Sequence, residues 1–117
     1  MAYDDAQDRI MVGFRFPSSL KILDINTGKE VFNSHIVGDV DDFYWDQKTK
    51  QLLISGGGGS VNIFKQTGDD TYKKVADIPT RKGARTSLFV PETRQFLLAA
   101  RVNGNKQASL LVYKLTD

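Results

Sequence analysis

Apolar residues along this chain come in short runs, each closed within a few positions by Gly, Asn, Asp or a charged pair. The runs Arg9–Phe14, Leu20–Ile25, Val31–Ile36, Asp42–Trp45, Gln51–Ser55, Ser60–Lys65, Tyr72–Ile78, Thr86–Val90, Gln95–Ala100 and Ser109–Leu115 read as strands. Val, Ile, Leu, Phe and Tyr dominate them, and these side chains suit a pleated, half-buried surface. Between them lie the turn segments Asn26–Lys29, Gln47–Lys50, Gly56–Gly59, Thr67–Asp70 and Asn103–Asn105. Gly and Asn accept the positive φ that tight hairpins require. No window of about 11 residues keeps a helical period. The pattern predicts an all-β meander.

The meander repeats. Tyr3-Asp4, Arg9–Gly13 and Leu20–Asp24 line up with Tyr44–Asp46, Gln51–Gly56 and Val61–Lys65. A third copy follows in Phe89–Pro91, Gln95–Ala100 and Leu110–Lys114. Tyr3 to Trp45 is 42 positions and Trp45 to Val90 is 45. A period of ~40–45 residues with four strands is that of a β-propeller blade. The expectation is a partial β-propeller of about three four-stranded antiparallel blades. The repeats fall near residues 1–38, 39–79 and 80–117 of a single domain, the last ending before its outermost strand. Met1–Asp4 reads as a truncated innermost strand.

The repeats resemble the YVTN-type β-propeller repeats of bacterial and archaeal proteins. Tyr3-Asp4, Asp8–Val12 and Leu23–Lys29 carry the likeness in the first repeat, Trp45-Asp46, Leu52–Gly56 and Val61–Phe64 in the second. In that family an aromatic-Asp turn precedes one strand and a strand ending in Asp precedes a Thr-Gly turn. The likeness implies fold more than function. Trp45-Asp46 closes an inner strand, so it is not the Trp-Asp signature of WD-type repeats, which ends a third strand. Family members ordinarily carry enough repeats for a closed ring, and three blades do not make one.

Composition narrows the chemistry. With 16 basic and 14 acidic residues the net charge is +2, too balanced to predict a nucleic-acid or membrane-surface partner. The chain has no Cys and one His, which excludes disulfides, thiolate metal sites, cysteine nucleophiles and a multi-His centre within one chain. No run of about 18 apolar residues predicts a membrane span. The acidic Met1–Asp5 lacks the apolar core of a signal peptide. No cofactor is expected, and the compartment is not encoded in these features.

In a propeller, the loops entering each inner strand gather on one face with the turns joining second and third strands. Here the entering loops carry Asp39, Asp41 and Asp42, then Arg81 and Arg85; the second-to-third turns carry Arg15, Gly56–Gly59 and Arg101. Three carboxylates suit a hard cation such as Ca²⁺, but EF-hand spacing is absent, and Asp in a turn ordinarily accepts backbone N–H bonds. No metal is therefore predicted. Arg81 and Arg85 suit a clamp on a small anionic ligand; the competing expectation pairs Arg85 with Asp41 or Asp42 across blades. Gly56–Gly59 lacks the Lys-Ser/Thr ending of a phosphate loop and reads as a hairpin turn. Ser55 and Ser60 do not sit in a nucleophile elbow. His35 falls on an outermost strand without a Ser or Cys partner, and no catalytic residue is assigned. Phe14, Phe16, Phe43, Tyr44, Trp45, Phe64, Phe89 and Phe96 are expected to pack between blades.

A blade packs against both neighbours, so three blades leave two faces uncovered. Two expectations follow. One is a non-enzymatic interaction module that self-associates as a homo-oligomer, two copies making a six-bladed ring. The other is a piece of a larger propeller whose remaining blades supply the partner. That larger protein is then a lactonase-like hydrolase, or an anion- or metal-binding protein with its site at the channel mouth.

Overall fold

A computed structural model describes residues 1–116. It contains eleven strands: β1 (Ala2–Asp4), β2 (Arg9–Arg15), β3 (Ser18–Asp24), β4 (Glu30–His35), β5 (Val40–Asp46), β6 (Gln51–Gly56), β7 (Ser60–Gly68), β8 (Thr71–Pro79), β9 (Ser87–Val90), β10 (Gln95–Ala100) and β11 (Ser109–Lys114). They form three antiparallel sheets in the orders β1-β2-β3-β4, β5-β6-β7-β8 and β9-β10-β11. These are three propeller blades, the third lacking its outer strand. β5 lies against β1 and β2 on one side and β9 on the other, so the inner strands gather while the outer strands splay.

Each blade has a front face toward the preceding blade and a rear face toward the following one. Strand alternation assigns the residues to these faces. Met11, Leu20 and Ile22 from the rear of blade 1 meet Phe43, Leu52, Ile54 and Phe64 from the front of blade 2. Leu53, Val61 and Ile63 from the rear of blade 2 meet Phe89, Phe96 and Leu98 from the front of blade 3. The middle blade is therefore covered on both sides. Its β6 is buried at every position from Leu52 to Gly56, which is why Leu52-Leu53-Ile54 reads as a continuous apolar run rather than an alternation.

The ladders refine the repeat. Tyr3 pairs with Ile10, Trp45 with Leu52 and Phe89 with Phe96. The equivalent aromatics are thus Tyr3, Trp45 and Phe89, and Val90 occupies the place of Asp4 and Asp46. A left-handed residue precedes the second strand of every blade: Asp8 (φ 55°), Lys50 (φ 58°) and Arg94 (φ 61°). β7 and β8 run longer than their apolar runs, joined at Asp69-Asp70. Two aromatics depart from the packing expectation. Phe16 is 94% exposed at the β2–β3 turn and Phe14 is exposed on the front of blade 1, a face that no blade of the described residues covers.

Candidate functional site

The channel-mouth loops are stacked through their backbones. Gly57 and Gly58 N–H donate to the carbonyls of Asp39 and Gly38 (both 2.9 Å), Gly83 N–H to Gly57 O (2.8 Å), and Thr80 N–H to Gly59 O (2.8 Å). Such close approach excludes side chains. A Cβ on Gly56 would lie 2.6 Å from the Gly38 carbonyl oxygen, and one on Gly57 2.1 Å from Asp39 Oδ2. The glycine run is a hairpin turn packed beneath the neighbouring entering loop.

These contacts place the candidate charges. Asp39 sits between two guanidiniums, with Arg85 Nε donating to its Oδ2 at 2.9 Å and Arg15 Nη1 3.8 Å from its Oδ1. Arg15 Nε also donates to Val40 O (3.1 Å), and its Nη2 lies 4.0 Å from Asp41 Oδ1. The expected pairing of Arg85 with Asp41 or Asp42 is corrected: its partner is Asp39. Asp42 instead accepts the Ser87 N–H (2.8 Å), and Asp41 the Thr86 hydroxyl (3.4 Å). All three carboxylates lie within residues 39–42, at the entry to β5 and within reach of blade 3, so sequence could not rank them. Arg81 turns away from Arg85 and donates to the carbonyls of Gln107 (2.7 Å) and Arg101 (3.3 Å). The two arginines do not converge as a clamp. Arg101 crosses Gly83, where a Cβ would meet its Nε at 2.6 Å. An open concavity of about 620 Å³ lies there, lined by Gly83, Arg85, Thr86, Arg101, Ser109 and Leu110.

The chemistry available at this mouth is ion pairing and hydrogen bonding. His35 lies on β4, in a separate cleft with Lys74 and Asp77. Among the described residues no group of three His, Asp or Glu side chains is placed to hold a metal ion. No helix among them is long and apolar enough to cross a membrane.

Apolar side chains also stand exposed at the two ends of the stack. On the rear of blade 3, Leu97 pairs with Leu88 and Val112, and Ala99 with Leu110. Leu88, Val112 and Leu110 are 53%, 54% and 62% exposed, and a shallow apolar groove runs over Leu88, Leu97, Ala99 and Leu110. On the front of blade 1, Tyr3, Ile10, Val12, Phe14 and Leu23 share one side of the sheet. These face residues were not among the sequence candidates. The signal was present in Ser109–Leu115, where apolar residues occupy both parities of the strand.

The fold is that of a three-bladed propeller segment whose two end faces are uncovered among the described residues. Searches of family models, curated proteins and solved structures found no match to this chain.

Proposed function

We propose that this chain is a non-enzymatic propeller module of the YVTN-repeat type whose open rear and front faces join a second copy, closing a six-bladed ring. One observation carries the reading. The rear-face positions of blade 3, Leu97, Ala99, Leu110 and Val112, are those filled by Met11, Gly13, Leu20 and Ile22 in blade 1 and by Leu53, Ser55, Val61 and Ile63 in blade 2. In those two blades the apolar members of the set are buried against a front face. On the front of blade 1, Tyr3, Ile10, Val12 and Leu23 likewise occupy the positions of Trp45, Leu52, Ile54 and Phe64. The chain thus buries one kind of rear-to-front junction twice and leaves one half of it open at each end. A two-fold pair of copies satisfies both halves.

Charge supports the same pairing. At the blade 2–3 junction Asp46 meets Arg94. A junction between blade 3 and a partner's blade 1 sets Val90 near Asp8 in the equivalent places. A carboxylate at position 90 would oppose Asp8; the valine does not. Tyr3-Asp4 and Trp45-Asp46, both ending inner strands, support the YVTN reading and the division into repeats 1–38, 39–79 and 80–117 of one domain.

The alternative is a piece of a larger propeller with a hydrolase, metal or small-anion site at the mouth. Asp39, Asp41 and Asp42 are each engaged with Arg15, Arg85, Thr86 or Ser87, which favours the assembly reading. Sedimentation equilibrium at micromolar concentration tests it. A species of twice the 13.1 kDa chain mass, dissociating on dilution, is expected. A monomer throughout that range overturns the self-assembly.

A further inference from the structure

We propose that the tip of the β10–β11 loop is a self-modification site, at which Asn103 loses its side-chain amide and leaves a mixture of aspartyl and isoaspartyl backbone. The loop spans residues 101–108, eight positions, where only 16–17 join β2 to β3 and 57–59 join β6 to β7. Every residue in it is exposed. Its length carries the tip beyond the stacked mouth loops and off the end faces invoked for ring closure, so the inference stands whether or not the chain self-associates. Two backbone bonds close the turn, Asn103 N–H to Lys106 O and Lys106 N–H to Asn103 O (both 3.0 Å). Gly104 follows Asn103 inside it at φ 59°, the place a II′ turn gives to glycine.

Neither reacting group is engaged. The Gly104 N–H and the Asn103 side-chain amide make no hydrogen bond among the described residues, and a Cβ on Gly104 would meet nothing within 4 Å. Glycine sets no side chain beside its own nitrogen and lets the backbone swing into line. The other four asparagines lack one or more of these conditions. Asn62 is buried and bonded at both ends of its amide, to Val37 N–H and to Asp77. Asn26 and Asn33 donate to Asp8 and Glu30, and the branched Thr27 and the serine Ser34 follow them. Asn105 precedes Lys106, whose N–H is held by Asn103 O.

The chemistry needs only water. The Gly104 nitrogen attacks Asn103 Cγ; an N–Cγ bond forms, the Cγ–Nδ2 bond breaks, and ammonia leaves with the proton that the Gly104 nitrogen gives up. Water then opens the cyclic succinimide at either carbonyl and returns a proton to that nitrogen. Cleavage at Cγ gives the aspartyl form, and cleavage at the backbone carbonyl gives the isoaspartyl form. Either product lowers the net charge of +2 by one, in a loop whose only charged side chains are Arg101 and Lys106. The isoaspartyl form also lengthens the main chain by a carbon and undoes the 103–106 pairing, while Arg81 still holds the loop at the carbonyls of Arg101 and Gln107.

Peptide mapping of the full chain, aged at mildly alkaline pH in heavy-oxygen water, tests this, with fragmentation that tells aspartyl from isoaspartyl. Conversion is expected first at Asn103, with the isoaspartyl form present and one heavy oxygen taken up per event. Gly104→Ala should slow it at least about tenfold, because a methyl group crowds the attacking nitrogen and narrows its backbone freedom. An intact Asn103, a conversion led by another asparagine, or an aspartyl product alone, which direct hydrolysis gives, overturns the proposal. So does an undiminished rate in a Gly104→Ala chain whose circular dichroism matches wild type. The wild-type map decides the matter by itself should that variant not fold.

Discussion

Asp46, at the end of the inner strand of the middle blade, is gripped at two points by Arg94 of the next blade, Nη1 to Oδ1 at 3.0 Å and Nη2 to Oδ2 at 2.6 Å. The carboxylate also accepts the Thr49 hydroxyl and the Lys48 N–H. Burial pushes its pKa up, but the Arg94, Thr49 and Lys48 hydrogen bonds outweigh burial and hold it below the ordinary 3.8. The resulting stabilisation is fully present above the unfolded value and is lost as pH falls through the lower folded one.

Asp46→Asn should therefore destabilise the chain by about 3 kcal/mol at neutral pH, because it takes the charge out of a buried, two-point ion pair with Arg94. Urea melts from about pH 6 down to about pH 2 should show the gap between wild type and variant closing as the carboxylate protonates. A constant gap would mean that shape, not charge, carries the effect.

Tyr72 is buried and its hydroxyl finds no hydrogen-bond partner among the described residues. Tyr72→Phe is expected to stabilise by about 1 kcal/mol, since the ring contacts remain and an unsatisfied polar atom is removed. Burial and the nearby Asp70 raise its pKa from 10.0 to about 12. The unfolded chain ionises first, so wild-type stability should fall as pH rises from 10 toward 12, and Tyr72→Phe should flatten that fall.

Gly13 lies under the ring of Phe43, and a Cβ there would meet Cε1 and Cζ at 2.7 Å. Gly13→Ala should cost about 1–3 kcal/mol by forcing the ring out of its seat at the first blade junction. Gly28→Ala is no clean control, because Gly28 has φ 73°. Ser19→Ala, with an exposed hydroxyl that donates to Pro17 O, should lie within about 0.5 kcal/mol of wild type. Thermal melts compare the two.

Leu110→Asp combined with Val112→Asp should abolish the two-copy species while leaving the circular dichroism of the dilute chain unchanged. Both side chains stand on the open rear of blade 3 and are more than half exposed. Buried in a junction, each new carboxylate would be uncompensated. Dimer mass retained in the double variant would place the contact elsewhere.

The blades were legible because their strands are short, apolar and separated by turn chemistry, and because β6, covered twice, is apolar on both sides from Leu52 to Ile54. The register of the third repeat was less so. Val90 and Trp45 look equivalent by hydrophobicity, yet the ladder matches Trp45 with Phe89, and the side-chain period of 2 makes one position a change of face. At the channel mouth the residues were found but not their partners. Asp39, Asp41 and Asp42 are nearly interchangeable in sequence, and only the backbone bonds of Gly57 and Gly58 to the Asp39 loop decide which carboxylate reaches Arg85. Tyr72 was read only as the start of a strand, because its burial depends on a ring cluster assembled from Phe32, Trp45 and Phe64 in two different blades.

The double cover over β6 also sets the order in which the molecule opens. In a linear stack each outer blade leaves by breaking one junction, whereas the middle blade leaves only after both are broken. Amide protons of Leu52, Leu53 and Ile54 should accordingly exchange last, through global unfolding, while β1 and β11 exchange through cheaper fraying. Pairing of the two ends would erase that gradient, since a closed ring has no terminal blade from which to unravel.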